Sequence, residues 1–131
     1  MMKPKPAAAR MTRGKILIVE DDPDTMKFVS TLLRASGYEV HQASYPLQAF
    51  FSVVRHPPDL ILADIQMPVM NGLDMIRQLK AHGETQHIPV VVVTGSEAED
   101  TRKAAFAAGC SGYITKPLDT RSFVPQVAKY L

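Results

Sequence analysis

The sequence predicts an α/β domain, a (βα)5 doubly wound parallel sheet, and three observations carry the prediction. Ile16–Val19, Leu60–Ala63 and Pro89–Val93 are continuously apolar runs, as central parallel strands covered by helices on both faces must be. Amphipathic segments of helical length separate them. The 131 residues, 46% of them hydrophobic, suit one globular domain and not two.

The elements follow in order. Residues 1–14 (MMKPKPAAARMTRG) carry proline, alanine and charge without periodicity, so a disordered basic tail is expected ahead of a folded unit over 15–131, with Met11 as an alternative start. After the first strand, Phe28, Val29, Leu32 and Leu33 form the apolar stripe of a first helix. Tyr38-Glu39-Val40-His41 alternates, which fits an edge strand with one wetter face. Pro46–Val54 supplies the second helix, Leu73, Ile76 and Leu79 the third, and Glu99–Ala108 the fourth. Gly112–Thr115 reads as the last strand, and Phe123, Val127 and Leu131 as the last helix. Gly37, Gly83 and Gly109 stand where a left-handed residue would end a helix. Pro125 predicts either a late start for the last helix, with Ser122 as N-cap, or a kink.

Charge and composition exclude several classes. Of 15 basic residues four lie in 1–14, which leaves eleven against thirteen acidic residues in the remainder; a nucleic-acid footprint is not expected on so mildly acidic a body. No apolar run approaches the roughly 18 residues of a membrane span and no secretory signal is present, so a cytoplasmic protein is expected. The single cysteine, Cys110, rules out an internal disulfide and reads as a small core residue.

In an open parallel sheet ligands bind beyond the carboxyl ends of the strands, where the strand order reverses. The first strand runs into Glu20-Asp21-Asp22, the third ends at Asp64, the fourth at Thr94-Gly95 and the fifth at Lys116-Pro117. A flavodoxin-like order, 2-1-3-4-5, would bring Glu20, Asp21 and Asp64 together at the reversal. Three such carboxylates repel one another unless a cation compensates; Mg²⁺, a hard ion taking oxygen ligands, is the natural one, and Lys116 supplies a fixed positive charge. A carboxylate between a metal and an ammonium is placed to attack phosphorus, giving an aspartyl phosphate. Thr94 can donate a hydroxyl to a phosphoryl oxygen, and Gly95 leaves space beside it.

The segments IVEDD (18–22), DLILADIQMPVMNG (59–72), VVVTG (91–95) and GYITKP (112–117) closely resemble the receiver domains of two-component response regulators, from about residue 15 to the end. The nearest likeness is to the stand-alone regulators of chemotaxis and the cell cycle. The resemblance implies that Asp64 is the phosphoacceptor. Asp21 is the implied direct ligand of Mg²⁺, with Glu20 acting partly through water and the backbone carbonyl of Gln66 completing the shell. It makes Thr94 the switch hydroxyl and Lys116 the phosphate-pairing lysine. Tyr113 matches an aromatic that turns inward when the hydroxyl moves, although a half-buried edge residue is the alternative. Lys116-Pro117 is similar to a dipeptide joined by a cis bond. A histidine kinase or histidine phosphotransfer protein would be the donor and a downstream protein the target; a phosphorylation-dependent homodimer is left open. With the chain ending at Leu131, output by protein–protein binding is expected.

The plainer roles are these. Asp22 is expected to cap the first helix, Gly72 to serve a turn with positive φ, Met67, Pro68 and Met70 to pack the loop, and Phe106 to lie in the core. The four histidines are given no part in the chemistry. Two rivals come from other classes. An aspartate-nucleophile phosphohydrolase of haloacid-dehalogenase type would need more than Asp22-Pro23-Asp24-Thr25-Met26, which has Met26 where Thr or Val belongs. A flavin module would need a phosphate cradle where this chain has Glu-Asp-Asp. A third rival is a receiver-shaped binding module without phosphorylation.

Overall fold

A computed structural model describes residues 13–67 and 71–131. Ten elements alternate: β1 (Lys15–Val19), α1 (Pro23–Ala35), β2 (Glu39–Ala43), α2 (Pro46–Arg55), β3 (Leu60–Ala63), α3 (Gly72–Ala81), β4 (Val90–Thr94), α4 (Glu99–Ala108), β5 (Gly112–Thr115) and α5 (Phe123–Ala128). All strand pairs are parallel and the order is β2-β1-β3-β4-β5, as the sequence predicts.

Strand periodicity divides the core into two layers. Ile16, Ile18, Leu60, Leu62, Val91 and Val93 face α1 and α5, meeting Met26, Val29, Leu33, Phe123 and Val127. Leu17, Val19, Ile61, Ala63, Val90 and Val92 face α2, α3 and α4, meeting Val53, Met75, Ile76, Leu79 and Ala105. With both faces covered, the central strands have no polar alternation to show, whereas edge strand β2 keeps Glu39 and Gln42 exposed. Cys110 is a buried core residue, and burial pushes its thiol pKa up. Among the described residues no helix is long and apolar enough to cross a membrane.

Helix ends follow local chemistry, with some departures from expectation. Asp22 caps α1, accepting from the Thr25 N–H (3.0 Å) and hydroxyl (2.6 Å), and Pro23 opens the helix. Asp22→Ala is expected to lower the thermal midpoint by a few degrees while Asp22→Asn stays near wild type, since asparagine caps as well; equal losses in the two would show that the cap contributes nothing. Gly37 and Gly109 have φ of 96° and 115°. After each, the chain bonds back to the helix, Tyr38 N–H to Leu33 O and Cys110 N–H to Ala105 O. Gly83 does not adopt positive φ: α3 is closed by side chains, with the Thr85 hydroxyl on Leu79 O and the His82 ring on Gln78 O, so no left-handed residue is needed. The late start of the last helix is observed. α5 begins at Phe123 after Ser122, and Pro125 falls in its first turn, although Ser122 makes no side-chain cap bond.

Gly72 also departs from its expected role. Its φ is not positive and it is the first residue of α3, after the N-cap Asn71. What requires glycine is close approach, for a Cβ there would lie 2.5 Å from Ile65 Cα and 3.1 Å from Asp64 O. Phe28 is exposed, because α1 buries the Met26, Val29, Ser30 and Leu33 face instead. Phe106 is likewise 40% exposed, since Ala105 and Ala108 take the inward positions of α4. Leu47, Phe51 and Val54 lie outward on α2. Arg13 and Gly14, assigned to the tail by sequence, hydrogen-bond to Gly37 and Glu39. The expected disorder of residues 1–12, and the packing expected of Pro68 and Met70, fall outside the described residues; Met67 packs against the core.

Candidate phosphoryl and metal site

Sheet register assembles the site. Val19 pairs with Ala63 across β1 and β3, so the next residues, Glu20 and Asp64, emerge side by side at the carboxyl edge. Backbone bonds fix both: Glu20 N–H to Ala43 O and Asp64 N–H to Val19 O, each 3.0 Å. Thr94 pairs with Thr115 across β4 and β5, and Lys116 N–H donates to Thr94 O. A cis peptide bond joins Lys116 to Pro117.

Glu20, Asp21 and Asp64 each offer a carboxylate oxygen within 4.8 Å of the others. Glu20 and Asp64 are buried and Asp21 is exposed. The Lys116 ammonium reaches from the far side, 2.8 Å from Glu20 Oε1 and 3.1 Å from Asp64 Oδ2. Burial pushes the Glu20 carboxyl above the usual carboxylate range, against the opposing pull of Lys116 and the Asp22 N–H. Burial also works against the Lys116 ammonium, but its hydrogen bond to Glu20 and the charges of Asp64 and Glu20 outweigh it, and its pKa is raised. An all-oxygen set open on the Asp21 side matches a hard divalent cation that keeps some of its waters, as Mg²⁺ does.

The remaining predicted residues surround this cluster without all touching it. Asp64 Oδ1 accepts from the Gln66 N–H at 2.9 Å. Thr94 is fully buried and its hydroxyl donates to the side-chain oxygen of Gln66 (3.1 Å). A Cβ on Gly95 would meet only that same oxygen, at 4.0 Å, so the space beside Thr94 is open. Tyr113 is half-buried and donates its hydroxyl to Ser96 O (3.0 Å). Sequence reasoning missed the Gln66 side chain and the Ser96 carbonyl as partners. Proximity in sequence to Asp64 and Thr94 was the available signal, but it does not say where a side chain points. Away from the cluster, the His41 and His56 rings stack at 4.3 Å.

Comparison with known proteins agrees with this geometry. The family model described as "Response regulator receiver domain" matches residues 16–128. The chain is 38% identical over 121 residues to the polar-differentiation response regulator DivK of Brucella ovis, covering 92% of this chain and 98% of that protein. Among solved structures it is similar to the chemotaxis response regulator CheY4 of Vibrio cholerae, with TM-score 0.85, 25% identity and 92% and 100% of the two chains covered. The receiver domain of sensor histidine kinase PA1611 from Pseudomonas aeruginosa, solved with a magnesium ion coordinated in its active site cleft, gives TM-score 0.81 and 27% identity over 89% and 96% of the chains. These likenesses set aside the phosphohydrolase and flavin alternatives. By its sequence, its strand order and the acids and lysine gathered at the sheet's carboxyl edge, the chain belongs to the response regulator receiver domain family.

Proposed function

We propose that Asp64 is the phosphoacceptor and that Mg²⁺ is held by Asp21 and Asp64, by Glu20 partly through water, and by the backbone carbonyl of Gln66. The observation that carries this reading is the single ammonium of Lys116 spanning Glu20 and Asp64, which leaves the third carboxylate, Asp21, facing solvent. When bound, the metal would supply positive charge to the phosphoryl oxygens. An Asp64 carboxylate oxygen attacks phosphorus, and the bond from phosphorus to the donor's imidazole nitrogen breaks. The electron pair leaves with the imidazole, and Lys116 pairs with the phosphoryl oxygens. Thr94 leaves Gln66 to donate to one of those oxygens, Gly95 keeps its approach open, and Pro117 fixes the turn after Lys116.

Receiver domains are signalling proteins, and the only catalysis proposed for this chain is its own phosphorylation and dephosphorylation. The donor is a histidine kinase or histidine phosphotransfer protein. The output is binding to a downstream protein, or to a second copy, governed by the new charge at Asp64. The mildly acidic body supports a protein target over nucleic acid, and a cytoplasmic location goes with that pairing.

Calorimetric titration with Mg²⁺ tests the metal assignment. Asp21→Asn is expected to weaken binding at least about 10-fold, and equal affinities in the two proteins would remove Asp21 from the site.

A further inference from the structure

Outside the acid and lysine cluster, α4 and β5 share an arrangement that the phosphoryl chemistry does not use. The guanidinium of Arg102 lies 5.2 Å from the centre of the Phe106 ring and 5.4 Å from that of Tyr113. Arg102 and Phe106 are four residues apart on α4, so the helix itself sets them face to face. Among the described residues no carboxylate lies within ion-pair distance of Arg102. Its partners are therefore the two rings, and a flat guanidinium within about 6 Å of an aromatic face is attracted to it. This gives exposed Phe106 a role that core packing does not: it orients Arg102 toward Tyr113.

Tyr113 meanwhile packs against the core layer beneath α2, α3 and α4 and donates to Ser96 O. The ring is thus inward while the Thr94 hydroxyl is still on Gln66. The hydroxyl end of the ring is fixed by the carbonyl of Ser96, a residue whose N–H lies 3.5 Å from the Thr94 hydroxyl, and what lies over the face of the ring is the Arg102 guanidinium.

We propose that Arg102 is a positioning residue that holds Tyr113 inward before Asp64 is phosphorylated, so that α4, and not the phosphoryl group, sets the ring's position in this chain. Its second clause rests on Asp64 being the phosphoacceptor. A partner that reads the α4–β5 surface would then find Tyr113 already in place in the resting protein.

The test uses the full chain labelled with ¹³C-tyrosine. There are four tyrosines, and Tyr113→Phe assigns the ring signal. Spectra of wild type, Arg102→Ala, Arg102→Met and Arg102→Lys are recorded before and after acetyl phosphate and Mg²⁺, with the adduct followed by mass in the same samples. In resting protein Arg102→Ala is expected to shift the inward-to-outward ratio of Tyr113 by about 2- to 5-fold. Arg102→Met, which keeps apolar cover without charge, should behave like Arg102→Ala, and Arg102→Lys should restore part of the effect. Thermal midpoints should stay close to wild type, which separates positioning from general loosening. On forming the adduct, the wild-type ring signal should hardly move, whereas that of Arg102→Ala should. Identical resting signals in wild type and Arg102→Ala, a wild-type-like Arg102→Met, or a wild-type ring that moves as far as the variant's would each overturn the proposal. If wild type takes no phosphoryl group, the reading of Asp64 fails, and the resting comparison still decides the role of Arg102.

Discussion

Replacing Lys116 by Met is expected to cost about 3 kcal/mol of folding stability in Mg²⁺-free buffer, because it leaves two buried carboxylates without their shared counter-ion. Glu20 and Asp64 are only 4% and 7% exposed, so water cannot replace the ammonium that now bonds to both. The same change should slow phosphoryl acceptance by about 100-fold, since Lys116 is the fixed charge at the phosphoryl oxygens. Mg²⁺ should return part of the lost stability by binding only the folded protein. Chemical denaturation with and without Mg²⁺ reads both effects. A variant as stable as wild type in the absence of metal would show that the carboxylates do not depend on the lysine.

The second large effect is expected at Gly72. Judged by helix propensity alone, Gly72→Ala at the start of α3 should stabilise the protein by up to about 1 kcal/mol. The tertiary contact points the other way. The new methyl would stand 2.5 Å from Ile65 Cα and 3.1 Å from Asp64 O. These are backbone atoms, not the ends of flexible side chains, so the loop carrying Asp64 or the whole helix must move. Overpacking of this kind costs roughly 1–3 kcal/mol, occasionally more, and a net loss of about 2 kcal/mol is expected in urea denaturation. Slower phosphoryl acceptance should accompany it, because the displaced backbone belongs to Asp64. A neutral or stabilised Gly72→Ala would contradict the close packing of α3 on this loop.

The contrast at Gly72 shows what sequence could and could not supply. Asn-Gly after a loop signals a turn, and nothing local distinguishes a glycine needed for φ from one needed for clearance; only the packing of α3 on Ile65 does. The strands were legible because both faces of the sheet are covered, which makes Ile16–Val19 of β1, all of β3 and Val90–Val93 of β4 continuously apolar. The site was legible because strand ends are fixed by register, and register carries Glu20, Asp64, Thr94 and Lys116 to one edge. Side-chain direction was not legible. Phe28 and Phe106 are apolar by type, but one residue of helix rotation, 100°, turns a position from core to solvent. Gln66 and Arg102 escaped for the same reason: their importance lies in what they touch, Thr94 in one case and two aromatic rings in the other.

The central claim is that Asp64 accepts a phosphoryl group in a reaction that needs Mg²⁺, and it is tested most directly by mass spectrometry of wild type and Asp64→Asn after incubation with acetyl phosphate, with and without EDTA. The expected result is a single hydroxylamine-labile phosphoryl adduct on wild type, absent with EDTA and absent from Asp64→Asn. An adduct that persists in Asp64→Asn would place the phosphoryl group on another residue and contradict the assignment of Asp64, and no adduct on a wild-type protein shown to bind Mg²⁺ would leave a receiver-shaped binding module in its place.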